Sequence, residues 1–271
     1  MNALVLGPGG VVGTAWLAGL AVGLRRHGVD LAAADLIVGT SAGAIVGALL
    51  ATGGDLDRLA LSRRPDAAAD PGSGRVGAGA ADPAAMGRVF ALLGEEGVEP
   101  AERLRRVGRL AVEAAPAPEE IHLATMSALV PAADWPAHLV ISAVDIDSGQ
   151  PQAWDSTSGI PLQAAVAAST AMPAAFPPIT IAGRRYMDGA LGGGSNAHLA
   201  TGADPLLLIE PLAHLFRQEP PAGAITVAPD EQTIAVFGAD LHDRAAWQPS
   251  YQAGLRQAAP AATVIAAAWP R

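Results

Sequence analysis

The sequence contains no cysteine and no lysine. Without cysteine, disulfides and thiolate metal sites are excluded, which fits a reducing compartment without requiring one. All 17 basic residues are arginine, a bias from which no chemistry follows. Aromatic residues make up only 4 % of the chain, whereas 51 % is hydrophobic and glycine occurs 31 times. A sizeable core is therefore expected, built from small side chains and close backbone contacts. Positive charge is also scarce: the formal net charge is −9. Nucleic-acid binding would need a basic stripe. The one basic cluster, Arg103, Arg105, Arg106 and Arg109, has helical spacing and reads as a solvated helix face.

Charge of either sign is missing from residues 1–24 and 36–54. Each stretch is long enough to raise the question of a membrane helix. The first breaks at Gly7-Pro8-Gly9-Gly10, and the second holds Gly39-Thr40-Ser41-Ala42-Gly43 in its interior. Both read better as a buried strand followed by a buried helix. No positive leader or cleavage region of a signal peptide is visible, so the expectation is a cytoplasmic protein.

At 271 residues the chain suits one large α/β domain, 1–271, better than two small ones. Strands are expected at 3–6, 36–38, 138–144 and 203–209, with a hairpin at 179–186 turned by Gly183. Helices are expected at 14–27, 42–51, 88–93, 99–114, 119–129, 160–171 and 251–269, the last bent or interrupted near Pro260. Alternation of strand and helix within the first fifty residues predicts a mostly parallel sheet with helices packed on it. Residues 62–87, rich in Ala, Gly, Pro and Asp, read as a flexible loop or lid.

Gly39-Thr40-Ser41-Ala42-Gly43 fits G-x-S-x-G, with an apolar strand before it and a helix after it. Such a turn exposes the hydroxyl of Ser41 and lets strand and helix pass closely at Gly39 and Gly43. The following helix start offers amides to an anion. Ser41 is therefore the candidate nucleophile, against the alternative of a glycine turn with an incidental serine. The loop Gly7-Pro8-Gly9-Gly10-Val11-Val12-Gly13 has two functional readings. A dinucleotide fingerprint would need glycine at position 12, which is valine, although Asp30 falls about where a ribose-binding acid is expected. An oxyanion hole would use backbone N–H groups at Gly9, Gly10 and Val11; Pro8 has none to give. A loop of glycines needed only for packing is the third possibility.

Taken with Asp188-Gly189-Ala190, the stretch 167–173 (AASTAMP) and Phe176-Pro177-Pro178, these residues resemble the patatin-like phospholipase family along nearly the whole chain. The resemblance implies a three-layer α/β/α fold and lipid acyl hydrolase activity. It also implies a serine–aspartate dyad in which Asp188, followed by Gly189, is the base for Ser41. The implied substrate is an acyl ester or lipid, met by transient contact with a membrane surface. The same acyl-enzyme could pass its acyl group to an alcohol or amine, and a non-catalytic binding protein on a degenerate fold is the remaining alternative.

Three departures from the family pattern stand out. Pro8 and Val12 replace a glycine and a basic residue of the glycine loop, so no phosphate clamp is expected there. The segment after Asp188 is bare, Leu191-Gly192-Gly193-Gly194, where the family has a charge. His198 stands where the family often has an acid. Of the six histidines, His242 in a polar turn reads as a surface residue and His198 as at most a neighbour of the site. No pair has metal-ligand spacing with a nearby acid, so neither metal nor other cofactor is expected. Lipid class and oligomeric state are not legible.

Overall fold

In a computed structural model the chain is described over residues 1–61, 82–115, 117–130, 134–216 and 219–269. In chain order the first half comprises β1 (Ala3–Leu6), α1 (Gly10–Arg26), β2 (Leu36–Gly39), α2 (Ala42–Ala51) and α3 (Asp57–Leu61). It continues with α4 (Pro83–Leu93), α5 (Pro100–Glu113), α6 (Glu119–Leu129), β3 (Leu139–Asp145) and β4 (Pro151–Trp154). The second half comprises α7 (Leu162–Ser169), β5 (Ile179–Ile181), β6 (Arg184–Asp188), α8 (Ala190–Gly193) and β7 (Leu206–Ile209). It ends with β8 (Ile225–Val227), α9 (Glu231–Phe237) and α10 (Trp247–Ile265).

The strands form one sheet in the order β5-β6-β3-β2-β1-β7-β8, with β4 also paired to β3. The run from β3 to β8 is parallel, and β4, β5 and β6 join antiparallel. Because successive strand side chains face opposite ways, β1 divides its residues between two cores. Leu4 and Leu6 pack with residues of α1, α2, α7 and α10. Ala3 and Val5 pack with Leu206, Leu208 and Ala200 on the other face. Farther along that second face, Val144 and Met187 meet Val89 of α4 and Leu104 and Val107 of α5. The result is the α/β/α layering that the family resemblance implies, around the mostly parallel sheet that the alternating pattern predicts.

Close backbone contact replaces bulky side chains, as the composition predicts. At Gly43 an added Cβ would collide with the carbonyl of Leu6, so α2 lies directly on β1. The two charge-free stretches are a strand and a helix each, and no helix among the described residues is long and apolar enough to cross a membrane. On α5, Glu102 pairs with Arg105, Arg106 and Arg109, and Glu95 pairs with Arg106.

Several boundaries differ from expectation. Helix α1 begins at Gly10, four residues early, so most of the glycine loop is already its first turn. Most of the 62–87 lid segment, residues 62–81, lies outside the described residues. Its last five residues are not loop: Asp82 caps α4 by accepting from the Ala84 N–H at 2.9 Å, and Pro83 occupies the first helical position. That pairing suits a helix start, since proline lacks the N–H that would be left over there anyway. Pro260 stays inside α10, which is assigned as one helix from Trp247 to Ile265.

Candidate active site

Strand β2 delivers the chain to the elbow, and α2 carries it away. Between them Ser41 has φ 54° and ψ −115°. A non-glycine residue there costs on the order of 1–3 kcal/mol and persists only where neighbours enforce it. The enforcing neighbour is Ser169 at the end of α7, whose Oγ accepts the Ser41 N–H at 2.9 Å. Two residues on, the Ala171 carbonyl accepts the Asp188 N–H at 3.0 Å. The 167–173 stretch thus holds both candidate residues by the backbone.

Asp188 ends β6, where the register pairs it with Ala143 of β3. It is 1 % exposed. Its Oδ1 accepts the Ala190 N–H at 2.9 Å, whereas Oδ2 has no regular hydrogen bond among the described residues. Burial pushes the carboxyl up to about 7; the Ala190 N–H and the nearby Ser41 hydroxyl pull it partway back. Ser41 and Asp188 line the same cavity, of about 430 Å³, within the range usual for small-molecule sites.

Gly9 and Gly10 line this cavity, and their N–H groups make no hydrogen bond to the described residues. Val11 also lines it, but its N–H donates to the Leu241 carbonyl at 2.8 Å. As an anion donor Val11 is therefore already occupied, which corrects the expected trio. The start of α2, expected to offer amides to an anion, supplies a third one, that of Ala42. It is the first residue of α2, lines the cavity, and its N–H has no acceptor among the described residues. The signal was present, because the residue after a nucleophile on such an elbow commonly supplies a donor.

A buried polar hub links the elbow to the acid loop. Asn196, at φ 58°, directs Nδ2 toward Thr40 Oγ1, Ser142 Oγ and the Gly189 carbonyl at 3.1, 3.1 and 3.2 Å. The Thr40 and Ser142 hydroxyls lie 2.8 Å apart. Nothing in the sequence marked Asn196.

The histidines are arranged differently from expectation. His242 is half-buried on the cavity wall, not on the open surface, and burial lowers its pKa. His198 is exposed and does not line the cavity. His122 does line it, stacked on Phe176 with ring centroids 4.3 Å apart. Its Nε2 lies 3.1 Å from the Ala167 carbonyl and 2.9 Å from Thr170 Oγ1. Burial holds the His122 pKa at about 4, and the ring is neutral. Among the described residues no group of three or more His, Asp or Glu is arranged to hold a metal ion. The cavity brings together the Ser41 hydroxyl, the Asp188 carboxyl and three amides without an acceptor among the described residues.

Comparison with known proteins gives a consistent picture. No curated protein matches significantly. Among solved structures, VipD from Legionella pneumophila aligns with a TM-score of 0.50 at 12 % identity, covering 97 % of this chain and 66 % of that one. The type III effector protein ExoU aligns with a TM-score of 0.42 at 18 % identity, covering 96 % and 52 %. The chain therefore spans from about half to just under two thirds of the length of these structures. The likeness to VipD is one of fold. The profile of the family described as patatin-like phospholipase matches residues 4–201, a span that includes the glycine loop, the elbow and the end of β6. This chain belongs to the patatin-like phospholipase family.

Proposed function

We propose that the chain is a lipid acyl hydrolase working through a Ser41–Asp188 dyad. The carrying observation is the strained Ser41 sharing a cavity with a buried carboxyl whose Oδ2 lacks a regular partner. Ser41 Oγ attacks the ester carbonyl carbon while its proton passes to Asp188. The carbonyl oxygen becomes an oxyanion, held by the Gly9, Gly10 and Ala42 amides. Each key donor of this kind is worth roughly 3–4 kcal/mol. Collapse of the intermediate breaks the bond to the alcohol, which leaves with the proton from Asp188. Water then attacks the acyl-enzyme by the same route, releasing the fatty acid and regenerating Ser41. A carboxyl near 7 is a far better base than one at its ordinary value.

The reading is tested with a fluorophosphonate probe and a panel of acyl esters. The probe should label Ser41, and Ser41→Ala should remove both labelling and turnover while the fold survives. Losing a nucleophile costs several orders of magnitude; hydrolysis by Ser41→Ala within about tenfold of the parent would exclude Ser41 as the nucleophile. Absence of labelling in a folded parent protein would favour a binding role for the same cavity.

A further inference from the structure

The strand that leads to Ser41 and the strand that ends in Asp188 are not neighbours. In the order β6-β3-β2, β3 lies between them, so their backbones run about 9–10 Å apart. Proton transfer between the two side chains requires that the chain at each strand end be held in a fixed place. Ser142 stands on β3 between Ile141, the partner of Gly39, and Ala143, the partner of Asp188. Its Oγ is 2.8 Å from Thr40 Oγ1 and 3.1 Å from Asn196 Nδ2. The two N–H bonds of that amide also face Thr40 Oγ1 at 3.1 Å and the Gly189 and Gly194 carbonyls at 3.2 and 3.3 Å. Thr40 immediately precedes Ser41, and Gly189 immediately follows Asp188. We infer that Asn196 is a positioning residue: its side-chain amide ties the backbone beside Ser41 to the backbone beside Asp188 and so sets the separation of the pair. The inference rests on the dyad reading and adds to it a residue that touches no substrate.

The choice of residue at each point of the hub fits that role. The Gly189 and Gly194 carbonyls can only accept, which fixes the Asn196 amide with its nitrogen toward them. Thr40, Ser142 and Asn196 are at most 2 % exposed, so each bond lost there would leave a buried polar group without a partner. The backbone of Asn196 is left-handed, at φ 58° and ψ 35°, which asparagine tolerates better than most residues. At Gly189 an added Cβ would collide with the Oγ and carbonyl of Ser142. Glycine after the acid therefore lets the turn settle on β3 and bring its carbonyl to Asn196.

None of Thr40, Ser142 and Asn196 ionises, and none lines the Ser41 cavity. Any effect of the hub on the reaction must pass through the backbone of Ser41 and Asp188. One route is visible in the turn itself. Asp188 Oδ1 accepts the Ala190 N–H at 2.9 Å, and that N–H belongs to the peptide whose Gly189 carbonyl Asn196 holds. Freeing the carbonyl weakens the bond to Oδ1, and a carboxyl that loses a donor is harder to ionise.

Asn196→Gly removes the amide and keeps the backbone, because glycine adopts positive φ without strain. Carbon-13 NMR of protein labelled at the aspartate carboxyls follows Asp188, with Asp188→Asn identifying its signal. This readout needs no turnover. Asn196→Gly should move the Asp188 midpoint up by at least about half a pH unit. On an acyl ester it should lower kcat by about tenfold to a hundredfold with little change in KM. Thr40→Val, which deletes the hub oxygen in the same shape, should also lower kcat, and Thr40→Ser should recover most of that loss. Asn196→Gly combined with Thr40→Val should lower kcat less than the two effects multiplied, since both act through one hub. Should Asn196→Gly fail to fold, the two Thr40 variants carry the same comparison. A folded parent that neither hydrolyses esters nor reacts with a fluorophosphonate would remove the dyad reading, and this role with it. With an active parent, the positioning role alone is overturned if folded Asn196→Gly keeps both its Asp188 midpoint and its kcat and only melts earlier, or if Thr40→Val and Thr40→Ser behave alike.

Discussion

The N–H of Ser41 donates to Ser169 Oγ at 2.9 Å, so a side chain from α7 fixes the backbone of an elbow built by β2 and α2. Ser169 touches no substrate in the proposed reaction; it positions the nucleophile. Ser169→Ala should lower kcat by about tenfold to a hundredfold, since small misplacements at a reacting atom have such effects. KM should change little, and fluorophosphonate labelling of Ser41 should slow in parallel with kcat. Unchanged labelling with a lower melting temperature would assign Ser169 a purely structural role.

The pH dependence follows from Asp188. A base must be ionised to accept the serine proton, and burial places this carboxyl at about 7. kcat/KM should therefore fall by about tenfold per unit below pH 7 and level off above it. His122 stays neutral across that range, its pKa being held at about 4. Stopped assays on an uncharged ester between pH 5 and 9 would read the profile. A profile flat across this range would mean that no base titrating near 7 takes the serine proton.

Stability should run opposite to activity at the same residue. The folded-state pKa of Asp188 is raised from 3.8 to about 7. Its contribution is therefore fully present below the unfolded value and is lost as pH rises through the folded one. The loss approaches on the order of 4 kcal/mol. Asp188→Asn should abolish turnover yet melt at a higher temperature than the parent at pH 8, with the difference vanishing toward pH 4. Equal melting temperatures at pH 8 would show that the carboxylate finds compensation in the folded protein.

The histidines separate a dyad from a triad. His242 is on the cavity wall, with Nδ1 4.0 Å from Asp240 Oδ1, an arrangement superficially like an acid–histidine pair. The dyad reading expects His242→Ala to keep activity within about tenfold, far short of the loss of a general base. A loss as deep as that of Asp188→Asn, in a folded protein, would replace the dyad with a triad.

The elbow and the acid were legible because their chemistry is local. Gly39 to Gly43 announces itself through a few adjacent residues between a strand and a helix, and Asp188-Gly189 stands out through its resemblance to the family's acid motif. The expected α2 span, 42–51, coincides with the observed helix, because Gly53 and Gly54 stop an unbroken apolar run. Long-range placement was not legible. Ser169 was visible as part of a family stretch, but its bond to Ser41 spans 128 residues. Asn196 meets Thr40 across 156 residues. The occupied amide of Val11 depends on Leu241, which no local pattern connects to the glycine loop. Strand β8, three residues at the sheet edge, is too short to show an alternating pattern.

The way α10 lies on α1 has a practical meaning for anyone shortening the chain. Side chains added at Gly19 or Gly254 would strike the carbonyls of Tyr251 and Trp16, so the two helices touch backbone to backbone. Trp16 Nε1 also donates to Gln257 Oε1 at 3.1 Å in the buried seam. Everything α10 contributes lies beyond residue 201, where the family match ends. A fragment cut at that boundary would keep Ser41 and Asp188 but strip the cover from the helix whose first turn presents the Gly10 amide. It should express as an aggregating species, and a nick between residues 210 and 245 should be tolerated only while both pieces stay associated.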